Sequence, residues 1–367
     1  MSSSVCRWGI LSTAHIARKN YQAIFNADNA TLVAVASRDK AQASAFIESC
    51  QKQSPFELVP EAMEGYQRLL DDDRIDAVYI PLPTGLRKEW VLRAAKAGKH
   101  VLCEKPCGIH ASDLEEMIQL CAEHGVQFMD GVMFMHSQRL QKVREALLDP
   151  SSIGTLRRVT SLFSFAAPDE FLSHNIRMHS GLEPAGCLGD LGWYTIRISL
   201  WAVDYLMPVS VSARILKGAA RSDSQHQVPI EFSAELTFDN GVSAGFYNSF
   251  LTENQQFVSF SGSKGQLTME DFVLPYYDAQ VGFDISNAHF EVNGSQFNME
   301  RHTRRCTVGE YANNHPSAQE TRLFAAFSRL VLSGQPDPHW AEVALKTQRV
   351  MDACLESARK DGASVCP

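Results

Sequence analysis

From Cys6 to about Met129 the chain alternates short apolar runs with amphipathic stretches, and this rhythm restricts the fold more than any other feature. Cys6–Leu11, Thr31–Ala36, Ile75–Ile80, Val101–Cys103 and Gln127–Met129 read as buried strands. Between them, about Ala14–Asn26, Lys40–Ser49, a stretch with Leu86, Trp90, Ala94 and Ala97 on one face and Gly98 as its stop, and Ala111–His124 read as helices. Strands and helices in alternation give a doubly wound parallel sheet, whose ligands bind outside the carboxyl ends of its strands. The polar stretch Gln51–Pro60 reads as a loop with one short strand at Phe56-Glu57-Leu58.

After Asp130 the rhythm changes. One helix, about Ser137–Leu148, leads into strands: Ile230, Phe232, Ala234, Leu236 and Phe238 alternate with polar residues, and Val242, Ala244 and Phe246 resume the pattern. Asp239-Asn240-Gly241 between them predicts a type I′ hairpin turn, and Gly262-Ser263-Lys264-Gly265 a second hairpin. Residues 270 to 310 read as irregular strand and loop, with Asn293-Gly294-Ser295 as a plain turn. Two helices, about Ser317–Ser333 and Ala341–Lys360, close the chain. At 367 residues the chain exceeds one ordinary core. The expected division is a Rossmann domain over 1–130 and an α+β domain on a large open, mostly antiparallel sheet over 131–367. The last helix, 341–360, is placed to pack back on the first domain.

A net charge of −8 without a long basic run argues against nucleic-acid or membrane-surface partners. The opening Met1-Ser2-Ser3-Ser4 precedes a strand pattern, no apolar run approaches membrane-spanning length, and a cytoplasmic protein is the expectation. Nine scattered cysteines without Cys-x-x-Cys spacing read as reduced thiols and give no metal site.

The strand Val101–Cys103 ends in Glu104-Lys105-Pro106. A lysine at that end points at a cofactor cleft, and the proline fixes the backbone that aims it. A solvated charge is the plainer reading for a lone lysine; the flanking pattern argues otherwise. The first strand–helix turn, Leu11-Ser12-Thr13-Ala14-His15-Ile16-Ala17, lies where dinucleotide folds hold pyrophosphate on helix amides. Against Gly-x-Gly-x-x-Gly it offers Ser12, Ala14 and Ala17, small side chains that keep the backbone approachable. Strand two ends in Ser37-Arg38, where an NAD enzyme usually carries an acid for the ribose. A hydroxyl and a guanidinium suit a 2′-phosphate and favour NADP over a merely solvated Arg38. Asp39 could still reach a hydroxyl, so NAD stays possible.

The second constellation is Gly186-Cys187-Leu188-Gly189-Asp190-Leu191-Gly192-Trp193-Tyr194. If a helix begins near Asp190, the aspartate and Tyr194 share a face. A carboxylate and a phenol, opposite a lysine from the other domain, make a proton-transfer site. A free tyrosine titrates near ~10, and a neighbouring ammonium draws that value towards working pH. The alternative is a capping aspartate beside a packed aromatic.

Lys99–Pro106 and Gly186–Tyr194, with the order of elements around them, resemble the Gfo/Idh/MocA oxidoreductases over nearly the whole chain. The resemblance implies a Rossmann domain and a C-terminal domain whose open sheet forms a homodimer interface. It implies Lys105 as catalytic lysine, Asp190 as substrate-orienting carboxylate, and Tyr194 where histidine is usual. Tyrosine there, with Phe163-Ser164-Phe165 and Asn175-Ile176-Arg177, resembles the branch of dimeric dihydrodiol dehydrogenase, NADP-dependent D-xylose 1-dehydrogenase and glucose-fructose oxidoreductase. The implied cofactor set is Ser12, Thr13, Ala14, His15 and Ile16, Ser37 and Arg38, Pro81, Leu82 and Pro83, with Glu104 and Lys105. Arg177, His136 and Trp193 are the implied substrate contacts, although Arg177 could instead brace its loop and His136 could be packing. The chain departs from the pattern in its phosphate loop and at Arg87, where many members have histidine. The expected activity is NADP-dependent hydride transfer with a sugar, polyol or dihydrodiol. Rivals are a non-catalytic NADP-sensing regulator and a redox-assisted glycoside hydrolase. Loop residues 166 to 184 set the substrate and carry no readable code.

Overall fold

A computed structural model describes residues 5–313 and 315–367, in two compact units. The first comprises residues up to 136, 181–184 and 313–349; the second comprises 137–180, 185–312 and 350–367.

The first unit runs β1 (Cys6–Leu11), α1 (His15–Asn26), β2 (Ala30–Ser37), α2 (Lys40–Gln51), β3 (Glu61–Glu64), α3 (Tyr66–Leu70), β4 (Ala77–Ile80), α4 (Thr84–Lys96), β5 (His100–Cys103), α5 (Ala111–Glu123) and β6 (Phe128–Asp130). Its six strands are parallel in the order β3-β2-β1-β4-β5-β6. The reversal of winding between β1 and β4 puts the ends of β1, β4 and β5 side by side, which is where such sheets bind dinucleotides.

Two details differ from the sequence reading. Phe56-Glu57-Leu58 is not a strand: Phe56 N donates to Gln51 Oε1 at 2.7 Å, and its ring meets Tyr21 and Phe25 edge-on. The strand is the later Glu61–Glu64, followed by the short α3. The buried face of α4 is Thr84, Arg87, Val91, Ala94 and Ala95, with Leu86 exposed. An arginine inside that face hides its register from a search for apolar residues.

The second unit contains α6 (Gln138–Leu148), β7 (Leu156–Ser164), α7 (Asp169–His174), a π-helical turn (Leu188–Gly192), α8 (Trp193–Ala202), β8 (Ser210–Ala219), β9 (Val228–Thr237), β10 (Ser243–Ser249), β11 (Gln255–Gly262), β12 (Gln266–Met269), β13 (Val281–Asn293) and β14 (Gln296–Val308). Its sheet has the order β14-β13-β12-β11-β7-β10-β9-β8, antiparallel except for the β7/β10 pair. Residues 270–310, read as irregular from sequence, include a long hairpin of two 13-residue strands. Its distal part has polar and apolar residues exposed on both strands, so no alternation marks it. The turn at Asp239–Gly241 is not type I′, because only Gly241 has positive φ (+79°). Gly241 N instead donates to Phe238 O and Phe238 N to Val242 O, the three-residue hairpin with a glycine bulge.

α9 (Gln319–Ser333) belongs to the first unit, while α10 (Pro338–Arg359) crosses the unit boundary at Arg349/Val350. α9 is held by Trp8 of β1, whose ring meets Phe324 and Phe327 at 4.9 and 5.1 Å and whose Nε1 donates to Ser328 Oγ at 3.0 Å. Among the described residues no helix is long and apolar enough to cross a membrane, no His/Cys/Asp/Glu group is arranged for a metal, and the nine cysteines are free thiols.

Candidate active site

At the carboxyl end of β1 the chain turns sharply. Ser12 has φ +117°, a region favoured by glycine, and it stands where the fingerprint has its first glycine. Two bonds hold it: Ser12 N donates to Ala36 O at 2.9 Å, and Ser12 Oγ accepts from Ala14 N at 3.0 Å. α1 then begins with no side-chain cap and no acid in its first turn, which suits a helix start that receives an anion.

At the end of β2, Ser37 is buried and bonds Gln42 Oε1 at 3.2 Å, whereas Arg38 is exposed. Asp39 Oδ1 accepts from Ala41 N at 2.7 Å and caps α2. Both Arg38 and Asp39 are exposed, but the Asp39 carboxylate is engaged by its own helix.

The carboxyl ends of β4 and β5 are tied by buried polar bonds. Tyr79, fully buried, donates its hydroxyl to Glu104 Oε1 at 2.6 Å. Glu104 Oε2 accepts from Lys105 N at 3.1 Å, and Glu104 N donates to Ile80 O at 3.2 Å. Burial and the adjacent carboxylate hold the Tyr79 hydroxyl well above its usual range, so it stays protonated and donating. The Lys105–Pro106 peptide is cis. Arg87, only 6% exposed, donates Nε to Leu82 O at 2.7 Å and Nη1 to Thr84 Oγ1 at 2.9 Å and to Pro106 O. It thus braces the Pro81–Pro83 turn against the turn carrying Lys105. The sequence marks Arg87 only as a departure from the family pattern and gives no sign of Tyr79's role; their positions at a helix start and a strand end are the available signal.

In the second unit, Asp190 lies in the π-helical turn, not at the start of a regular helix, and Tyr194 sits in the first turn of α8. Such turns recur at functional sites because they reset the side-chain register. Glycine makes the approach possible: Gly186 has φ +49°, and a Cβ there would lie 2.1 Å from Pro229 O. Asp190 Oδ2 pairs with Arg177 Nε at 2.6 Å, and Arg177 N is fixed by Asn175 Oδ1 at 3.0 Å. Tyr194 is 7% exposed, with the Phe163 ring edge-on at 5.6 Å. Trp193 is fully buried. Burial pushes the Cys187 thiol well above its usual range, which favours the protonated form.

The sequence-predicted residues therefore fall into two groups. Ser12–Ile16, Ser37, Arg38, Pro81–Pro83, Glu104 and Lys105 belong to the first unit; Arg177, Asp190, Trp193 and Tyr194 belong to the second. Within the first unit Lys105 N bonds Glu104, and Arg87 links Leu82 O to Pro106 O beside them; within the second unit Arg177 pairs with Asp190. His136 closes a short 3-10 helix (Met133–His136), and its ring stacks on Trp340 at 4.7 Å.

Comparison with known proteins agrees with this architecture. Residues 6–132 match the model described as an oxidoreductase family with an NAD-binding Rossmann fold, and residues 140–268 match the GFO/IDH/MocA C-terminal domain. The chain belongs to the Gfo/Idh/MocA oxidoreductase family. Among its relatives, D-xylose 1-dehydrogenase (NADP(+)) 2 of Haloferax volcanii is 30% identical over 98% of both chains. Trans-1,2-dihydrobenzene-1,2-diol dehydrogenase of Mus musculus is 28% identical over 73% of this chain and 76% of that protein. The structure of KijD10, a 3-ketoreductase from Actinomadura kijaniata in complex with NADP and TDP-benzene, superposes with a TM-score of 0.78, 27% identity, and coverage of 96% and 98%.

Proposed function

We propose that the protein is an NADP-dependent oxidoreductase that moves hydride between the nicotinamide and a carbon of a sugar, polyol or dihydrodiol. The observation that carries this reading is the Glu104-Lys105 turn at the carboxyl end of β5, anchored by a buried carboxylate and braced by Arg87 in a Rossmann unit. The relatives named above, a NADP-dependent xylose dehydrogenase and a dihydrodiol dehydrogenase, support the substrate class.

The uncapped, acid-free start of α1 and the exposed Arg38 fit NADP. In this reading Ser12, Thr13, Ala14, His15 and Ile16 hold the pyrophosphate, Ser37 and Arg38 the 2′-phosphate, and Pro81, Leu82, Pro83 and Glu104 border the nicotinamide side. Bound NADP supplies the hydride acceptor or donor. Tyr194 Oη takes the proton from the substrate hydroxyl in oxidation and returns it in reduction. Lys105 Nζ holds that phenol and the substrate oxygen electrostatically. Asp190 orients the substrate, and Arg177, paired with it, fixes its rotamer. Trp193 is fully buried, and in this reading it supports the helix start that carries Tyr194.

Assembly is part of the proposal. Glu231, Ser233, Glu235 and Thr237 of β9 lie opposite Ser249, Tyr247, Gly245 and Ser243 of β10 on one polar face of the large sheet. A second copy covering this face in a C2 dimer suits its Ser, Thr and Tyr content, and the free thiols suit a cytoplasmic setting. The function is tested with a panel of aldoses, polyols and trans-dihydrodiols, with NADP and NAD, followed at the nicotinamide absorbance. Turnover with NADP on at least one class is expected; silence across the panel refutes the reading. Light scattering at micromolar concentration is expected to give twice the chain mass.

A further inference from the structure

Residues 181–184 end the loop that sequence analysis assigns to substrate choice, and they group with the Rossmann unit. Their attachment there is specific. Glu183 accepts at Oε1 from Thr84 N (3.0 Å) and at Oε2 from Thr84 Oγ1 (2.6 Å), and Gly85 N donates to Leu182 O at 2.9 Å. Two amides at the start of α4 that its own helix leaves without partners are thereby satisfied. The fit is close: a Cβ on Gly85 would lie 2.5 Å from Gly181 O.

The Thr84 hydroxyl does not end there. It accepts from Arg87 Nη1 at 2.9 Å while donating to Glu183, so a guanidinium and a carboxylate of opposite charge meet through one hydroxyl. Bonds in such a chain polarise one another, so each is weaker without the next. The far end of the chain is Pro106 O, the residue after Lys105, which Arg87 also holds.

We propose that Glu183, Thr84 and Arg87 form a relay that positions the Lys105 turn according to whether residues 181–184 are docked on α4. The relay makes loop docking and lysine placement one event, so a loop that has not seated leaves the lysine turn loose. These are positioning residues, and the inference rests on the reading of Lys105 as the catalytic lysine.

Hydrogen exchange measured by mass spectrometry on the full chain tests it. Thr84→Val removes the bridging hydroxyl with little change of shape and leaves Arg87 its two carbonyls; Thr84→Ser keeps the hydroxyl; Glu183→Gln removes the far charge. Both Thr84→Val and Glu183→Gln should speed exchange about tenfold in peptides covering residues 104–110, remote in sequence from either change, as well as at residues 84–86. Thr84→Ser should exchange like the parent. Glu183 is half-buried, so Glu183→Gln decides the matter should Thr84→Val fold poorly. If Glu183→Gln loosens residues 84–86 while 104–110 keeps the parental rate, the contact is a local cap and the relay is wrong. In a parallel assay of D-xylose oxidation by NADP, kcat should fall about tenfold in Glu183→Gln with NADP affinity kept, as for a displaced proton-transfer group. If the parent does not turn over D-xylose, the same comparison is made on whichever panel substrate it does oxidise; silence across that panel counts against the functional reading, whereas the exchange result judges the relay by itself.

Discussion

Two tyrosines of the first unit offer a controlled comparison of what a buried hydroxyl does. Both Tyr79 and Tyr21 have 0% side-chain exposure. The Tyr79 hydroxyl donates to Glu104 Oε1 at 2.6 Å, whereas the Tyr21 hydroxyl has no hydrogen-bonding partner among the described residues. Replacing tyrosine by phenylalanine deletes the same atom at each. At Tyr79 it removes a charge-assisted bond and leaves a carboxylate oxygen buried with one donor fewer, a loss of about 1.5–3 kcal/mol. At Tyr21 it removes an unsatisfied polar group from the core, so stability should hold or rise by up to about 2 kcal/mol. Urea unfolding followed by circular dichroism reads both: the midpoint of Tyr79→Phe should drop and that of Tyr21→Phe should stay level or rise. Equal midpoints would refute the claim that Glu104 is anchored by Tyr79, and with it the argument that the Lys105 turn rests on a buried carboxylate.

Arg38→Ala should weaken NADP binding by roughly 1.5–3 kcal/mol and leave NAD binding nearly unchanged; fluorescence titration that finds equal affinities in the parent contradicts the assignment of Arg38. Burial pushes the His100 imidazole below its usual 6.5 against the opposing pull of Asp76, and its Nδ1 accepts from Gln127 N at 2.9 Å. The unfolded chain therefore takes up this proton at higher pH than the folded one. The histidine's contribution is intact above about pH 6.5 and is lost as pH falls through that value towards the depressed native one. His100→Asn keeps an acceptor and should flatten that acid-side loss in unfolding midpoints measured from pH 7.5 to 5. Arg139, 1% exposed and bound to the Asp271 carboxylate and to Asp271 O (2.8 Å) and Gly282 O (3.1 Å), is a buried cation of the second unit. Arg139→Met should cost about 3–5 kcal/mol in urea unfolding, and adding Asp271→Asn should recover part of that, since the penalty is chiefly a stranded charge.

Most of the Rossmann unit was legible because its strands are continuous apolar runs separated by amphipathic stretches, one of which stops at Gly98. The Lys105 turn stood out for the same reason, a charge pair interrupting an apolar run before proline. Legibility failed where polar groups do structural work inside the core. Arg87 and Thr84 sit on the buried face of α4, so apolar spacing pointed to Leu86, which is exposed. Glu183 lay in a loop without periodicity, and only the fold brings it to Thr84. The long β13–β14 hairpin escaped because its distal residues are exposed on both strands, leaving no alternation of burial to detect. In the second unit the sequence placed Asp190 and Tyr194 at a helix start; the π-helical turn between them depends on close approaches that Gly186 and Gly192 permit, which spacing alone does not reveal.

Tyr194 is the proposed carrier of the substrate proton, with Lys105 as its proposed electrostatic partner, and Tyr194→Phe is the decisive variant. The ring is 7% exposed and packs edge-on against Phe163, contacts that phenylalanine retains, so fold and NADP affinity should be kept. Steady-state oxidation, on whichever sugar, polyol or dihydrodiol the parent turns over with NADP, should then fall by about 10²–10⁴ in kcat. The Lys105→Ala/Tyr194→Phe double variant should be little slower than the worse single one, because groups acting as one unit are not additive. Turnover by Tyr194→Phe near the parental rate, with NADP still bound, would contradict the assignment and leave the proton to another group.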